Sequence, residues 1–276
     1  MQNLNFLAAA IQAAVEAGKA VLDVYNTDIH VDYKKDQSPL TLADKQAHDI
    51  ISDRLKPFDI PLLSEEGKTI PYATRRQWKT LWIVDPLDGT KEFVKRNGEF
   101  TVNIALVTGG IPILGVVFAP VREVLYFALQ GIGAYKIDRQ DAVAALCDRL
   151  SRGGLNDDGL TGQGTALPRE RPRDMPYTIV GSRSHSTEAL EAFVAQKRSE
   201  FGTIEFIPAG SSLKLCLVAE GRADIYPRLA PTMEWDTAAG HAVVTNAGAR
   251  IYNHSSGEPL CYNKEDLLNP WFIVER

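Results

Sequence analysis

Apolar residues recur every three or four positions near the start of the chain, at Leu4, Leu7, Ile11, Val15 and Leu22. This spacing puts them on one face of a helix, so the pattern predicts an amphipathic first helix. The stretch has no positively charged start and charged residues interrupt it, which argues against a secretory signal.

A second helix is predicted to begin near Thr41, after the helix breaker Pro39. The apolar run at 81–84 then predicts a short buried strand that ends at Asp85. The uncharged stretch 100–121 is long enough to span a bilayer. Its Gly-Gly pair instead predicts a hairpin of buried strands, so no transmembrane segment is expected. Four β-branched runs with short turns predict an antiparallel meander, at 100–108, 112–119, 123–128 and 132–137.

Residues 138–176 are rich in glycine, proline and charge, which predicts a polar loop or linker. Beyond them strand and helix patterns alternate, which predicts an α/β layer arrangement. We therefore expect an α/β fold with an antiparallel meander sheet in the N-terminal half and a mixed sheet in the C-terminal half. The predicted division is an N-terminal α+β metal-binding domain (1–140), a polar linker or insertion (141–176) and a C-terminal α/β domain (177–276), with the active site between the two domains.

Composition narrows the classes of function to consider. The chain has 276 residues and a net charge of -5, so it can bury a large core but offers no basic surface for a nucleic-acid polymer. Its three cysteines form no CxxC pair and its five histidines form no HExxH motif. These features argue against a disulfide framework or a structural zinc site and indicate a reducing cytoplasm.

The strongest chemical signal is the sequence Asp85-Pro86-Leu87-Asp88-Gly89 at the end of the predicted strand. Pro86 favours extended geometry before it and begins a turn. Two carboxylates on one tight turn repel each other unless a cation lies between them. Mg²⁺ prefers such oxygen ligands, and the carbonyl of Leu87 offers one more. Asp-Pro and Asp-Gly are also ordinary turn formers, so a turn without function is the alternative.

Three other acids are weaker signals. Glu65 follows an apolar run and precedes a glycine, a pattern also typical of a solvated acidic turn. Asp236 lies where a helix of small residues begins, which is typical of an N-cap but also of a phosphate site. Thr41 and Asp44 have the spacing of a capping box, and capping is compatible with Asp44 orienting a catalytic hydroxyl.

Together these segments resemble the magnesium-dependent, lithium-sensitive phosphatase superfamily of inositol monophosphatase. The matching pieces fit in order and spacing over about residues 30–255, and they are 38–44, 64–66, 85–90 and 235–240. Lys91 and the segments 181–185 and 210–214 resemble the bisphosphate nucleotidase branch of that superfamily. The long polar stretch 138–176 departs from the family pattern. The resemblance therefore defines the metal site but not the rim on the substrate side.

The resemblance implies an αβαβα layered sandwich of the sugar-phosphatase type and a role for individual residues. Asp44 and Thr90 would orient the attacking water, with Glu65 as a third catalytic residue. Two to three Mg²⁺ ions would be held by Glu65, Asp85, the carbonyl of Leu87, Asp88 and Asp236. The implied substrate contacts are Glu65, Leu87, Asp88, Gly89, Thr90, Ser182, His185, Gly210, Lys214 and Asp236.

The implied reaction is hydrolysis of the 3′-phosphate of adenosine 3′,5′-bisphosphate, or of its phosphosulfate analogue, by in-line attack of a metal-activated water, with inhibition by Li⁺. This substrate would place the protein in sulfur metabolism. Hydrolysis of inositol 1-phosphate or another sugar phosphate is the alternative. A catalytically silent binding protein is a third hypothesis, against which the full acidic set argues. The resemblance implies a cytoplasmic protein and allows peripheral association with the inner face of the membrane. It is compatible with both a monomer and a homodimer.

Overall fold

The structure, a computed structural model, describes residues 2–27, 31–33, 39–152, 164–168, 175–182 and 187–276. A short 3₁₀-helix lies at Lys56–Phe58. The α-helices are α1 (Gln2–Tyr25), α2 (Leu42–Leu55), α3 (Tyr72–Arg75), α4 (Thr90–Val94), α5 (Gln140–Ser151), α6 (Glu188–Phe201), α7 (Leu213–Glu220) and α8 (Glu234–Asn246). The strands are β1 (Val31–Tyr33), β2 (Pro39–Thr41), β3 (Leu62–Ser64), β4 (Thr80–Asp88), β5 (Thr101–Thr108), β6 (Ile111–Ala119), β7 (Val124–Leu129), β8 (Gly133–Ile137), β9 (Thr165–Ala166), β10 (Tyr177–Ser182), β11 (Ile204–Ala209), β12 (Ile225–Arg228), β13 (Arg250–Asn253) and β14 (Phe272–Glu275).

Two sheets form the framework. The first has seven strands in the order β3-β4-β5-β6-β7-β8-β9, in which β3 runs parallel to β4 and the other neighbours are antiparallel. The second has five strands in the order β11-β10-β12-β14-β13, parallel on one side and antiparallel around β14. The antiparallel meander predicted for β5 to β8 and the mixed second sheet are both confirmed.

Strand β4 shows how the layers are organised. Successive side chains of a strand point to opposite faces, so one strand can serve two cores. Trp82 and Val84 pack with α1, α2 and α5 on one face of the seven-stranded sheet. Leu81 and Ile83 pack on the other face with α7, α8 and the five-stranded sheet. Helix α6 covers the far face of the second sheet, which completes the expected αβαβα order.

Helix α8 packs unusually close to strand β6 at Gly115. A Cβ atom on Gly115 would lie 2.2 Å from the carbonyl oxygen of Ala239 and 2.8 Å from the Cβ atom of Ala242. Only a residue without a side chain fits there. This contact sets the distance between the central sheet and the helix that carries Asp236.

A buried polar cluster joins helix α7 to strands β7 and β8 of the seven-stranded sheet. The Nζ atom of Lys136 on β8 lies 3.1 Å from a carboxylate oxygen of Glu220 at the end of α7. The hydroxyl of Tyr126 on β7 donates a hydrogen bond to the same carboxylate. Buried charges are tolerated only when paired in this way, so the cluster ties the last turn of α7 to the sheet.

Several elements differ from the sequence prediction. The loop predicted from residue 138 is wrong for the part that forms α5, because Val143, Leu146 and Leu150 make an apolar face that packs into the core. The nearby charged residues Asp141, Asp148 and Arg149 conceal this helical spacing. The rest of the predicted linker lies partly outside the described residues, and the division into two domains stays a prediction. The first helix, the start of α2 after Thr41 and the Gly-Gly hairpin are confirmed. Among the helices that the structure describes, none is long and apolar enough to cross a membrane.

The close approach at Gly115 yields a stability prediction. We expect Gly115→Ala to lower the free energy of unfolding by about 1–3 kcal/mol, because the new methyl group meets backbone that cannot move aside. Urea denaturation of the purified protein measures this loss.

Gly181→Ala is the matched control. A Cβ atom there would lie 2.4 Å from the ring of Phe206, but that ring is 40% exposed and free to turn away. Both substitutions reduce the entropy of the unfolded chain equally, so their difference isolates the steric effect. Equal losses in the two variants would contradict rigid packing of α8 on β6.

Candidate active site

Strand β4 brings two aspartates to one edge of the sheet. The pairing of β4 with β5 shifts in register between Asp85 and Asp88, because Pro86 has no N–H to donate to the ladder. The backbone N–H of Leu87 donates to an Asp85 carboxylate oxygen at 3.0 Å, which closes the turn. Asp85 is only 1% exposed. The local sequence therefore places one buried and one accessible carboxylate three residues apart.

Two further carboxylates reach this turn from other elements. Glu65, Asp85 and Asp236 each place an oxygen within 4.8 Å of the others. Glu65 follows β3 directly, and its backbone N–H donates to the carbonyl of Val84 on β4 at 3.1 Å. Asp236 is the third residue of α8 and so does not occupy the N-cap position, although its carboxylate accepts from the backbone N–H of Met233 at 2.9 Å.

The electrostatics of this acidic cluster indicate a cation. Burial raises the pKa of Asp85 well above its usual range, and the neighbouring charges of Glu65, Asp88 and Asp236 raise it further. Burial followed by the charge of Asp88 raises the pKa of Asp236 to about 8. Buried carboxylates at this separation destabilise one another when ionised. The donor set is all oxygen, so a hard divalent cation such as Mg²⁺ fits it.

Asp88 is held by neutral donors rather than by a basic side chain. The hydroxyl of Ser212 lies 3.0 Å from its Oδ2 atom and 2.7 Å from the carbonyl oxygen of Asp236. The side-chain amide of Asn103 donates to the same Asp88 oxygen at 3.3 Å. These contacts orient Asp88 without cancelling its charge. Sequence reasoning missed Ser212 and Asn103, because both are ordinary polar residues that only the fold brings to Asp88.

Asp44 and Thr90 form a second pair beside the acidic cluster. The hydroxyl of Thr90 lies 3.4 Å from a carboxylate oxygen of Asp44 and 3.4 Å from the carbonyl oxygen of Leu87. The other oxygen of Asp44 accepts from both the backbone N–H and the hydroxyl of Thr41, at 2.7 and 2.6 Å. The predicted capping box is therefore present, and the capping residue also contacts the candidate catalytic hydroxyl.

A cleft of about 240 Å³ opens over these groups. It brings together most of the residues predicted for the site, namely Glu65, Asp88, Gly89, Thr90, Lys91, Ser182, Gly210, Lys214 and Asp236. The predicted residues Asp44, Asp85 and Leu87 are not among the lining residues. Asp44 and Leu87 lie within hydrogen-bond distance of Thr90, which lines the cleft, and Asp85 accepts a hydrogen bond from Leu87. The predicted contact His185 lies outside the described residues.

Three basic residues share the cleft with the acids, namely Lys91, Lys214 and Arg228. Lys214, in the first turn of α7, donates from Nζ to the carbonyl of Ser211 at 2.6 Å, and burial lowers its pKa to about 8. Arg228 ends strand β12 and donates from Nη2 to the carbonyl of Pro231 at 2.7 Å. Its buried Nε atom has no hydrogen-bond partner among the described residues. Sequence reasoning did not assign Arg228 to the site, although the segment 219–228 that it ends resembles the bisphosphate nucleotidase branch.

Gly210 has a packing role that the sequence did not indicate. A Cβ atom at this position would lie 2.7 Å from the carbonyl oxygen of Glu99 and 2.9 Å from its Cβ atom. The loop before α7 therefore runs directly against the segment that follows α4. Ser211, the next residue, has a positive φ of 44°, which few residues adopt without support from their surroundings.

Comparison with known proteins finds one matching family and relatives that are similar over almost the full chain. The inositol monophosphatase family model matches residues 2–271. The 3′(2′),5′-bisphosphate nucleotidase CysQ of Escherichia coli O6:H1 is 45% identical over 268 residues, which cover 95% of this chain and 96% of that protein. A crystal structure of CysQ from Bacteroides thetaiotaomicron has a TM-score of 0.85 and 50% identity, covering 97% of this chain and 95% of that one.

A more distant structure supports the fold alone. The IMPase of Thermotoga maritima is 23% identical, with a TM-score of 0.71, and covers 100% of this chain and 92% of its own. The family match over nearly the full length agrees with the layer order and the acidic cluster described above. The chain belongs to the inositol monophosphatase family.

Proposed function

We propose that this chain is a Mg²⁺-dependent nucleotidase that removes the 3′-phosphate of adenosine 3′,5′-bisphosphate and releases AMP. The observation that carries the proposal is the meeting of Glu65, Asp85 and Asp236 within 4.8 Å beside a cleft that also contains Lys214 and Arg228. The acids suit the metal-bound reacting phosphate, and the cations suit a second phosphate. The name of the 45% identical relative, a bisphosphate nucleotidase, supports the same substrate class.

The carboxylates would hold two to three magnesium ions, through Glu65, Asp85, the carbonyl of Leu87, Asp88 and Asp236. Magnesium held by these residues would supply positive charge that stabilises the reacting phosphate and lowers the pKa of a bound water. Glu65 follows a strand of the seven-stranded sheet, and Asp236 lies on α8. Metal held by the two residues would therefore fix the position of the phosphate relative to both the sheet and the helix. Competition by Li⁺ for these oxygen ligands forms part of the proposal.

Thr90 is proposed to aim the attacking water. Its hydroxyl lies 3.4 Å from a carboxylate oxygen of Asp44, so Thr90 could pass its own proton to Asp44 as its oxygen takes one from the water. Asp44 is itself held by two donors from Thr41, which makes the pair rigid. Backbone N–H groups of Gly89 and Thr90 are proposed to stabilise charge on the phosphate as it develops in the in-line reaction.

Lys214 and Arg228 are proposed to bind the second phosphate. A guanidinium offers several donors in a fixed plane, which matches phosphate geometry. Arg228 lines the cleft, so its guanidinium is within the space that a second phosphate would occupy. Ser182, at the end of β10, lines the same cleft, while a contact by His185 stays a prediction.

Inositol 1-phosphate or another sugar phosphate is the second candidate substrate. The family match supports this chemistry equally well, because the acidic cluster acts on the phosphate alone. The two cations favour a substrate with two phosphates. The proposal further includes a cytoplasmic location, with or without association at the inner face of the membrane, and leaves both monomer and homodimer open.

Asp88→Asn tests the metal-binding role. We expect kcat to fall by about three orders of magnitude or more, since a lost metal ligand removes several kcal/mol of transition-state stabilisation. The amide oxygen still accepts from Ser212, so the fold should survive. Initial rates at saturating Mg²⁺ measure the effect, with Asp49→Asn on the exposed side of α2 as the matched control. Near-normal turnover in Asp88→Asn would exclude the assignment.

Removal of metal should make stability depend on pH. The pKa of Asp236 rises from 3.8 to about 8 on folding, so the folded protein holds this proton more tightly than the unfolded chain. Its stabilising effect is present at low pH and is lost as pH rises toward about 8. In excess chelator the melting temperature should therefore fall across pH 5.5–8.5, and Mg²⁺ should restore it increasingly with pH.

Asp236→Asn provides the comparison for this pH series. We expect the variant to lose most of the difference between the chelator and Mg²⁺ melting curves, because the carboxylate that repels its neighbours is gone. A Mg²⁺ effect of equal size at pH 5.5 and 8.5 in the unmodified protein would contradict the electrostatic account of the cluster.

Arg228→Gln tests the second-phosphate site. Loss of a charge-assisted hydrogen bond costs about 1.5–3 kcal/mol, so kcat/KM for adenosine 3′,5′-bisphosphate should fall about 10–100-fold. Adenosine 3′-monophosphate lacks the 5′-phosphate, so its kcat/KM should be unchanged. Arg228→Lys should recover part of the loss.

The same assay on inositol 1-phosphate decides between the two candidate substrates. We expect the unmodified protein to prefer adenosine 3′,5′-bisphosphate by initial rates at equal concentration. A preference for inositol 1-phosphate, or an equal loss on all substrates in Arg228→Gln, would overturn the bisphosphate assignment while leaving the metal site intact.

A further inference from the structure

Helix α2 presents two polar residues to the site from one face. Asp44 and His48 are four residues apart, so their side chains lie one above the other on the helix. Asp44 contacts the hydroxyl of Thr90, as described above. His48 is not part of the proposed reaction, and its hydrogen-bond partners are Ser52 and Ser64 rather than Thr90. Its role therefore needs a separate explanation.

The imidazole of His48 is bound at both nitrogens. Its Nδ1 atom lies 2.9 Å from the hydroxyl oxygen of Ser64, and its Nε2 atom lies 3.4 Å from the hydroxyl oxygen of Ser52. Ser64 is 6% exposed and is the last residue of β3. The stronger of the two contacts thus joins α2 to the residue immediately before Glu65.

The turn that carries Glu65 lies directly against His48. Its chain reverses through a hydrogen bond from the N–H of Gly67 to the carbonyl of Ser64, at 3.0 Å. A Cβ atom on Gly67 would lie 3.1 Å from that carbonyl oxygen and 3.7 Å from the Cε1 atom of His48. The imidazole therefore packs against both ends of the turn.

Glu65 differs from the other members of the acidic cluster in its support. Asp85 belongs to a nine-residue strand inside the sheet, and Asp236 belongs to a thirteen-residue helix. Glu65 follows a three-residue strand at the edge of the seven-stranded sheet. A short edge strand is paired on one side only, so a restraint on its last residue contributes to fixing the direction of the Glu65 carboxylate.

We propose that His48 is a positioning residue for metal binding, which holds Ser64 and thereby aims the Glu65 carboxylate at Asp85 and Asp236. The inference rests on the proposed function, because it takes Glu65 as a ligand of Mg²⁺. Residues that orient metal ligands without touching the metal typically contribute 10–100-fold to affinity. Helix α2 would then position two parts of the site. Asp44 positions the hydroxyl of Thr90, and His48 positions the turn that carries Glu65.

The test measures Mg²⁺ affinity by titration calorimetry without substrate. His48→Phe keeps the size of the ring and removes both nitrogens, and Ser64→Ala removes the partner hydroxyl. We expect each variant to bind Mg²⁺ about 10–100-fold more weakly. His48→Asn places an amide near the former Nδ1 position and should recover part of the affinity.

Two further comparisons distinguish an effect of His48 on Mg²⁺ affinity through Ser64 from a general loss of stability. Ser52→Ala removes only the longer contact and should keep Mg²⁺ affinity within about twofold, well short of the effect expected for a ligand-orienting residue. The double variant His48→Phe/Ser64→Ala should bind no more weakly than either single variant, because both remove one hydrogen bond. Melting curves in chelator check that every variant is folded.

The possible failures are distinguishable. If the unmodified protein binds no Mg²⁺, both the proposed function and this inference are overturned. If it binds Mg²⁺ and His48→Phe and Ser64→Ala bind equally well, only the positioning role is overturned. Additive losses in the double variant would also overturn it, since they would mean that His48 and Ser64 act by separate routes.

Discussion

Glu65, Asp85 and Asp236 come from three separate parts of the chain and hold their carboxylates within 4.8 Å of one another around the buried Asp85, with Asp88 beside them. Mutual repulsion of these charges opposes the packing that brings them together. Folding must hold the acids together against it, and a bound cation must balance it. The long strand β4, the small residues that admit α8 and the donors to Asp88 all restrain groups that would otherwise move apart.

The site lies where layers meet rather than within one layer. Helix α2 packs on one face of the seven-stranded sheet and supplies Asp44, while α8 packs on the other face and supplies Asp236. Strand β4 passes between them and ends at the cleft. Because its alternate residues serve both cores, a change in either core is transmitted to Asp85. The site and the two cores therefore form one mechanical unit.

The sequence allowed prediction of those features that depend on near neighbours in the chain. Asp85 and Asp88 were identifiable from one turn, and the strands β5 to β8 from their apolar runs. Glu65 and Asp236 became candidates only through family resemblance, because nothing local distinguishes them from surface acids. Arg228 and His48 were missed, since their importance comes from residues far away in the sequence. Helix α5 was missed because a charged surface hides its short apolar face.

Strand β14 has a consequence for how the protein is made. It follows every other described strand in the chain, yet it lies inside the five-stranded sheet, between β12 and β13. A ribosome delivers β12, α8 and β13 before the strand that joins them. The emerging chain must therefore carry the acidic residues of the site while the layer beneath α8 is still open. The sheet on which α8 packs is therefore completed only after every residue of the acidic cluster has been synthesised.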